Sequence, residues 1–142
     1  MPAQTRCADL DIGVDNGRFD EKAKRMAYTE KFQGLADAAL ASVAHVQPEE
    51  VDARLAGGAV ALDIRDKEEH DQDHIAGAVH ISRGKLEMNV EGILPDLDTE
   101  ILCYCNAFNR GGLSAKTLQD MGYKNAKVIA GGLKAYRAYK AV

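Results

Sequence analysis

A cysteine at the end of an apolar run is the residue of this sequence most suited to nucleophilic chemistry. Residues 101–105 are apolar or aromatic without a break, which predicts a buried strand ending at Cys105. Residues 111–121 then show helical spacing, so Cys105 lies at a turn where backbone N–H groups and the positive end of a helix converge. A thiol in that position is expected to ionise more readily, and the thiolate is the nucleophile. Arg110, which is permanently charged, adds to this effect from the far end of the turn.

The loop that contains this cysteine resembles a known active-site loop. Residues 105–110 read Cys-Asn-Ala-Phe-Asn-Arg and resemble the loop Cys-x-x-Gly-x-Arg of rhodanese-type sulfurtransferases. Residues 62–69 resemble the Leu-Asp-Val-Arg-x-x-x-Glu segment of that family, and residues 73–81 resemble its Gly-His-Ile-Pro-Gly-Ala-x-x-Ile segment. Two later segments, 83–87 and 131–136, follow in the family's order, so the resemblance covers roughly residues 45–140.

The resemblance implies an activity and a set of site residues. It implies an enzyme that moves a sulfane sulfur from thiosulfate or a persulfide donor to cyanide or a thiol acceptor. The sulfur would be carried as a persulfide on Cys105, without a metal or organic cofactor, and transfer in two steps predicts ping-pong kinetics. By the same resemblance, Arg65 helps to hold the anionic donor. The residues expected around the persulfide are those of the loop: Asn106, Ala107, Phe108, Asn109 and Arg110.

Two interpretations are open for the charged residues near the loop. Arg110 either faces the ligand or ties the loop to a carboxylate such as Asp63 or Glu69, and the sequence does not decide between them. Asp63 and Glu69 are interpreted as groups that hold the loop. An already ionised cysteine needs no dedicated proton shuttle, so neither carboxylate is assigned acid or base catalysis.

Phe108 departs from the family pattern, which usually has glycine at this position. If the position requires a positive φ, phenylalanine would strain or reshape the loop. Phe108 could equally form an apolar lip that selects small or thiol donors. The departure keeps a second function open, namely a catalytically weak rhodanese-like module that binds a partner, carries sulfur or acts as a sensor.

Three other chemistries are weighed against sulfur transfer. Cysteine phosphatases and arsenate reductases have loops that resemble Cys-x5-Arg, whereas only four residues separate Cys105 from Arg110, which is one too few to surround a tetrahedral oxyanion. Cys103 is interpreted as a buried core residue on the strand face of Cys105, and a redox disulfide between the two is a hypothesis. His70, Asp71, Asp73 and His74 suggest a metal site, since two histidines four residues apart can share a helix face. Residues 74–77 instead resemble a structural turn of the family, so a metal site is not predicted.

Composition sets the general class of the protein. A chain of 142 residues with 46% hydrophobic and 28% charged residues fits one domain with a single core. The net charge of −4, without a basic cluster, argues against nucleic acid as a partner. No apolar run reaches the roughly 20 residues of a membrane span, and residues 1–20 are too polar for a signal peptide. Three cysteines do not form a paired framework, so a reduced, cytoplasmic protein is expected, with a monomer favoured.

The elements that must position the cysteine alternate between strand and helix. We predict strands at 45–47, 59–64, 78–81, 101–105 and 128–130, and helices at 48–56, around Leu86, at 111–121 and after Gly131-Gly132. This alternation predicts an α/β domain of the rhodanese-like type, with three layers, a parallel sheet of about five strands and helices on both faces. Ligands of such sheets bind off the carboxyl ends of the strands, where Cys105 is expected.

The domain is expected to span residues 45–142, preceded by a separate N-terminal part. Residues 1–44 are predicted to form an arm, followed by an amphipathic helix from about Asp20 to Ala44 that packs on the domain. Its apolar face is predicted to consist of Phe32, Leu35, Ala39, Leu40 and Val43.

Overall fold

The computed structural model describes residues 28–141, and its centre is a five-stranded sheet. The strands in chain order are β1 (Ala44–Val46), β2 (Val60–Asp63), β3 (Val79–His80), β4 (Ile101–Tyr104) and β5 (Ala126–Ile129). Every pairing is parallel and the spatial order is β1-β5-β4-β2-β3. The predicted parallel sheet is therefore confirmed, and β4 lies in its middle.

Six α-helices and one short 3₁₀ turn lie in the described range. The helices are α1 (Glu30–Ser42), α2 (Pro48–Ala56), α3 (Lys67–Gln72), α4 (Leu86–Ile93), α5 (Asn109–Asp120) and α6 (Gly132–Lys140), and the 3₁₀ turn is Arg83–Lys85. None of the helices between residues 28 and 141 is long and apolar enough to cross a membrane.

The sheet separates two hydrophobic clusters, one on each face. Side chains alternate along β4, so Ile101 and Cys103 enter one cluster while Leu102 and Tyr104 enter the other. Residues of α4 and α5 complete the first cluster, and residues of α2 and α6 complete the second. Helices therefore cover both faces, as the three-layer architecture requires.

The chain divides into two compact units, residues 1–34 and residues 35–142, and the sheet belongs to the second. The predicted arm, Cys7 and the start of the predicted helix at Asp20 lie outside the described residues. Within the second unit, the prediction that Leu35 belongs to the apolar face of α1 is wrong, because Leu35 is 65% exposed. The buried residues are Ala36 and Ala39 in α1 and Val43 directly after it, which recur every three or four residues. Leu35 is one position away from that stripe.

Candidate functional site

The candidate site lies at the carboxyl ends of β2 and β4, where Cys105 follows the central strand. Cys105 is 3% exposed and belongs to the same hydrophobic cluster as Cys103, so both side chains lie on the face predicted for them. The backbone N–H of Gly111 donates to Cys105 Sγ at 3.4 Å. Because Gly111 lies in the first turn of α5, the sulfur is placed at the positive end of that helix.

The loop between Cys105 and α5 does not need glycine at Phe108. Phe108 has φ −142° and ψ −44° and precedes the first residue of α5, so no positive φ is required there. Its ring is half-buried, packs against the cluster that contains Cys105 and meets the ring of His45 edge-on at 5.2 Å. The departure from the family pattern is therefore accommodated without backbone strain.

One carboxylate holds both ends of this loop. Glu69 receives two hydrogen bonds from Arg110, from Nη1 to Oε1 at 3.0 Å and from Nη2 to Oε2 at 3.2 Å. Its Oε2 also accepts from Asn106 Nδ2 at 2.9 Å, and its Oε1 accepts from the backbone N–H of Asp66 at 3.1 Å. The side chain of Arg110 is thus a tie between the loop and Glu69, which is one of the two interpretations left open by the sequence.

Electrostatics around Glu69 keep the tie ionised. The hydrogen bonds from Arg110 hold the pKa of Glu69 below its ordinary value, and the N–H of Asp66 contributes in the same direction against burial. The pKa of Arg110 is raised first by Glu69, and a negative charge on Cys105 raises it further. Arg110 therefore lies within electrostatic range of the cysteine sulfur while its own charge is largely compensated by Glu69.

Arg65 holds the loop from the other side and is buried. It is 3% exposed, and its Nε and Nη2 donate to the two carboxylate oxygens of Asp63 at 2.9 Å and 2.7 Å. Nη1 donates to Asn106 Oδ1 at 3.0 Å, and Nη2 also donates to the backbone carbonyl of Asp73 at 2.6 Å. All three guanidinium nitrogens are engaged, so this geometry favours a positioning role for Arg65 over contact with a donor.

Burial alone would raise the pKa of Asp63, whose side chain is completely buried. The hydrogen bonds from the side chain and backbone of Arg65, together with that from His70, outweigh burial and lower the pKa of Asp63. Both carboxylates that hold the loop, Asp63 and Glu69, are therefore more acidic than usual.

Acidification is expected to loosen the loop through these two carboxylates. A carboxylate with a lowered pKa in the folded state contributes stability that is fully present above its ordinary pKa, 3.8 for Asp63 and 4.5 for Glu69, and is lost as the pH falls through the folded-state value. The free energy of unfolding in urea should therefore show no change from these groups between pH 8 and pH 6 and should decline toward pH 3. The free energy of unfolding of Glu69→Gln should decline less over that range than that of the wild type. A decline parallel to that of the wild type would contradict the role of Glu69.

The amino-terminal end of α6 holds the start of the loop through backbone hydrogen bonds. The backbone N–H of Leu133 donates to the carbonyl of Cys105 at 2.8 Å, and that of Lys134 donates to the carbonyl of Asn106 at 3.1 Å. Gly132 has φ +63°, and a Cβ there would collide with the carbonyl oxygens of Cys105 and Ala107. Glycine is required at this contact because the two backbones approach too closely for a side chain.

Gly132→Ala is expected to displace the loop and to destabilise the fold by about 1–3 kcal/mol. The added methyl group has no space beside two carbonyl oxygens, and the positive φ disfavours any L side chain. Thermal unfolding measures the loss of stability. Gly92→Ala is the matched control, since nothing lies within 4 Å of the added atom, and an equal response of the two variants would contradict the assigned contact.

Three histidines form a stack next to Asp63 and Arg65. The ring of His70 lies 3.8 Å from that of His74 at 11° and 4.6 Å from that of His80 at 23°. Nearly parallel rings direct their nitrogen lone pairs side by side and not toward one point, as a shared metal ion would require. Residues 28–141 contain no group of three side chains that could hold a metal ion. His70 Nδ1 instead donates to Asp63 Oδ2 at 2.8 Å, so the stack supports the buried ion pair.

Three contributions to the site were not predicted from the sequence. The amide that donates to the sulfur belongs to Gly111, one residue beyond the predicted loop, and its place in the first helical turn was the available signal. His70 was considered only as a metal ligand, although it lies seven residues after its partner Asp63. The backbone carbonyl of Asp73, which accepts from Arg65, has no signature in the sequence.

The sequence of this chain is similar to those of known proteins. A family model described as the rhodanese-like domain matches residues 47–139. The thiosulfate sulfurtransferase PspE of Escherichia coli is 33% identical over 73 residues, which cover 51% of this chain and 69% of that protein.

Two solved structures share the architecture. A protein of unknown function from Rhodopseudomonas palustris, described as a possible tyrosine phosphatase, has a TM-score of 0.72 and 30% identity over 80% of this chain and 93% of its own. The human single-domain sulfurtransferase TSTD1 has a TM-score of 0.59 and 26% identity over 68% of this chain and 95% of its own.

Proposed function

Because this chain belongs to the rhodanese-like domain family, we propose that it transfers sulfane sulfur through a persulfide on Cys105. The observation that carries the proposal is the position of Cys105 Sγ at the amino-terminal end of α5, with the N–H of Gly111 at 3.4 Å. That position supports a thiolate as the nucleophile and an anionic persulfide as the intermediate.

The proposed reaction has two steps. The Cys105 thiolate attacks the outer sulfur of the donor, a new sulfur–sulfur bond forms, and the bond within the donor breaks. With thiosulfate, the electron pair of the broken bond leaves with sulfite. Cyanide or a thiol then attacks the outer sulfur of the persulfide, which releases thiocyanate or a new persulfide and regenerates the thiolate.

The loop residues have two kinds of proposed role. Asn106, Ala107, Phe108, Asn109 and Arg110 form the wall around the transferred sulfur. The side chains of Asn106 and Arg110 reach Glu69 and keep the wall in place, while Arg65 fixes Asn106 from within the core. Thiosulfate is the proposed donor because relatives such as PspE carry the name thiosulfate sulfurtransferase.

Steady-state kinetics test this function. Thiocyanate formation measured over a grid of thiosulfate and cyanide concentrations should give parallel double-reciprocal lines, because the first product leaves before the second substrate reacts. Intersecting lines would show a ternary complex and would contradict a free persulfide enzyme.

A second candidate is supported by the low exposure of Cys105. Cys105 is buried, with 3% of the whole residue exposed, which is consistent with a module that stores or senses sulfur and turns over slowly. The two functions differ in one measurement: a module takes up one sulfur atom from thiosulfate but releases it to cyanide or thiols far more slowly than it was loaded.

Phosphatase activity is a third reading, raised by the description of the Rhodopseudomonas structure. The Cys105 loop has four residues between its cysteine and its arginine, and Arg110 is paired with Glu69, so its charge is not available to a phosphate. Hydrolysis of p-nitrophenyl phosphate without thiosulfate turnover would reverse this ranking.

A further inference from the structure

Arg83 lies at the same end of the sheet as Cys105 and has no role so far. It begins the 3₁₀ turn after β3, and its backbone N–H donates to the carbonyl of Ile64 at 3.0 Å. The N–H of Ile64 in turn donates to the carbonyl of Tyr104 at 3.3 Å. Arg83 is therefore fixed beside the carboxyl ends of β2 and β4, where the sulfur of Cys105 is found.

Arg83 differs from the other two arginines of this region in its partners. The charge of Arg65 is compensated by Asp63 and that of Arg110 by Glu69. Arg83 is half-buried, and within residues 28–141 its guanidinium forms no hydrogen bond or ion pair. A partly desolvated arginine without a carboxylate keeps its full charge and its donors for a ligand.

The positive charge of Arg83 acts on Cys103, a residue of β4. Burial raises the pKa of the Cys103 thiol, and the positive charge of Arg83 is the main influence that opposes this rise. With its backbone fixed at the carboxyl ends of β2 and β4, Arg83 lies at the end of the sheet where Cys105 follows Cys103 by two residues in the same hydrophobic cluster.

We propose that Arg83 binds the sulfonate group of an anionic sulfane donor and thereby selects thiosulfate over donors without such a group. This inference rests on the proposed function and names its substrate-binding cation. Attack of a thiolate on a dianion is opposed by charge repulsion, and an arginine bound to two sulfonate oxygens offsets it. The same contact stays with sulfite, which leaves with the electron pair of the broken sulfur–sulfur bond.

Arg83→Gln tests the proposal, with Lys85→Gln as the matched control. Lys85 is exposed, lies two residues further on in the same turn, and loses the same charge on substitution. For Arg83→Gln, kcat/KM for thiosulfate should fall by about tenfold to a hundredfold, the range of one charge-assisted hydrogen bond. Arg83→Lys should recover part of the loss, and Lys85→Gln should stay within about threefold of the wild type.

A donor that lacks a sulfonate group distinguishes an effect on sulfonate binding from an effect on the sulfur-transfer step. With an alkyl hydropersulfide, Arg83→Gln should stay within about threefold of the wild type, and inhibition by added sulfite should weaken in that variant alone. Equal losses for both donors, or equal effects of Arg83→Gln and Lys85→Gln, would overturn the assignment while leaving the transferase intact. Absence of sulfur uptake by the wild type would instead refute the proposed function itself.

Discussion

Replacing Cys105 by serine is expected to stop sulfur transfer, with kcat/KM for thiosulfate lowered by roughly a thousandfold or more. A serine hydroxyl is not ionised near neutral pH and forms no persulfide, although it occupies nearly the same volume. The helix end, the Gly111 amide and the loop ties through Glu69 remain in the variant. The measurement is thiocyanate formation at saturating cyanide, with a circular dichroism spectrum to confirm the fold.

Cys103→Ala is the control for this substitution. Cys103 is fully buried in the same cluster, and its raised pKa makes it a poor nucleophile. Cys103→Ala should therefore keep most of the activity and lose only a little stability. Retained activity in Cys105→Ser together with lost activity in Cys103→Ala would show that Cys103, and not Cys105, is the nucleophile.

The largest loss of stability is expected from Asp63→Ala, at about 3–5 kcal/mol. The substitution leaves the guanidinium of Arg65 buried with two neutral acceptors, Asn106 Oδ1 and the carbonyl of Asp73, in place of a carboxylate. It also removes the acceptor of His70 Nδ1. Equilibrium unfolding in urea measures the effect, and activity should fall with it because Asn106 is fixed through Arg65.

Two comparisons make this prediction specific. Asp71→Ala removes the partner of Lys67 in a pair exposed to solvent and should change stability very little. Replacing Asp63 and Arg65 together, by alanine and leucine, should cost less than the sum of the single substitutions, because no unpaired charge stays buried. Additive losses would show that the two residues do not act as a pair.

The sheet could be predicted because its strands are short apolar runs bounded by clear signals. Proline at the first position of α2 and the Gly57-Gly58 pair after it matched the observed Pro48–Ala56. Helix α3 was missed because its sequence, Lys67–Gln72, is polar on all sides and has no apolar stripe. Its capping box, formed by Asp66 and Glu69, was the signal that could have located it.

The site could be predicted less completely than the sheet. The place of Cys105 follows from local pattern, since one strand and one helix define it. The partner of Arg110 does not, because Glu69 lies 41 positions away and the choice between Glu69 and Asp63 depends on three-dimensional packing. For the same reason, the backbone at Phe108 depends on how Glu69 and α6 hold the loop.

The intact mass of the protein after incubation with excess thiosulfate and desalting is the most direct test of the persulfide. A persulfide on Cys105 predicts a gain of one sulfur atom per chain, its removal by cyanide with release of thiocyanate, and no gain in Cys105→Ser. An unchanged mass with thiosulfate and with persulfide donors, or the same gain in Cys105→Ser, would contradict it.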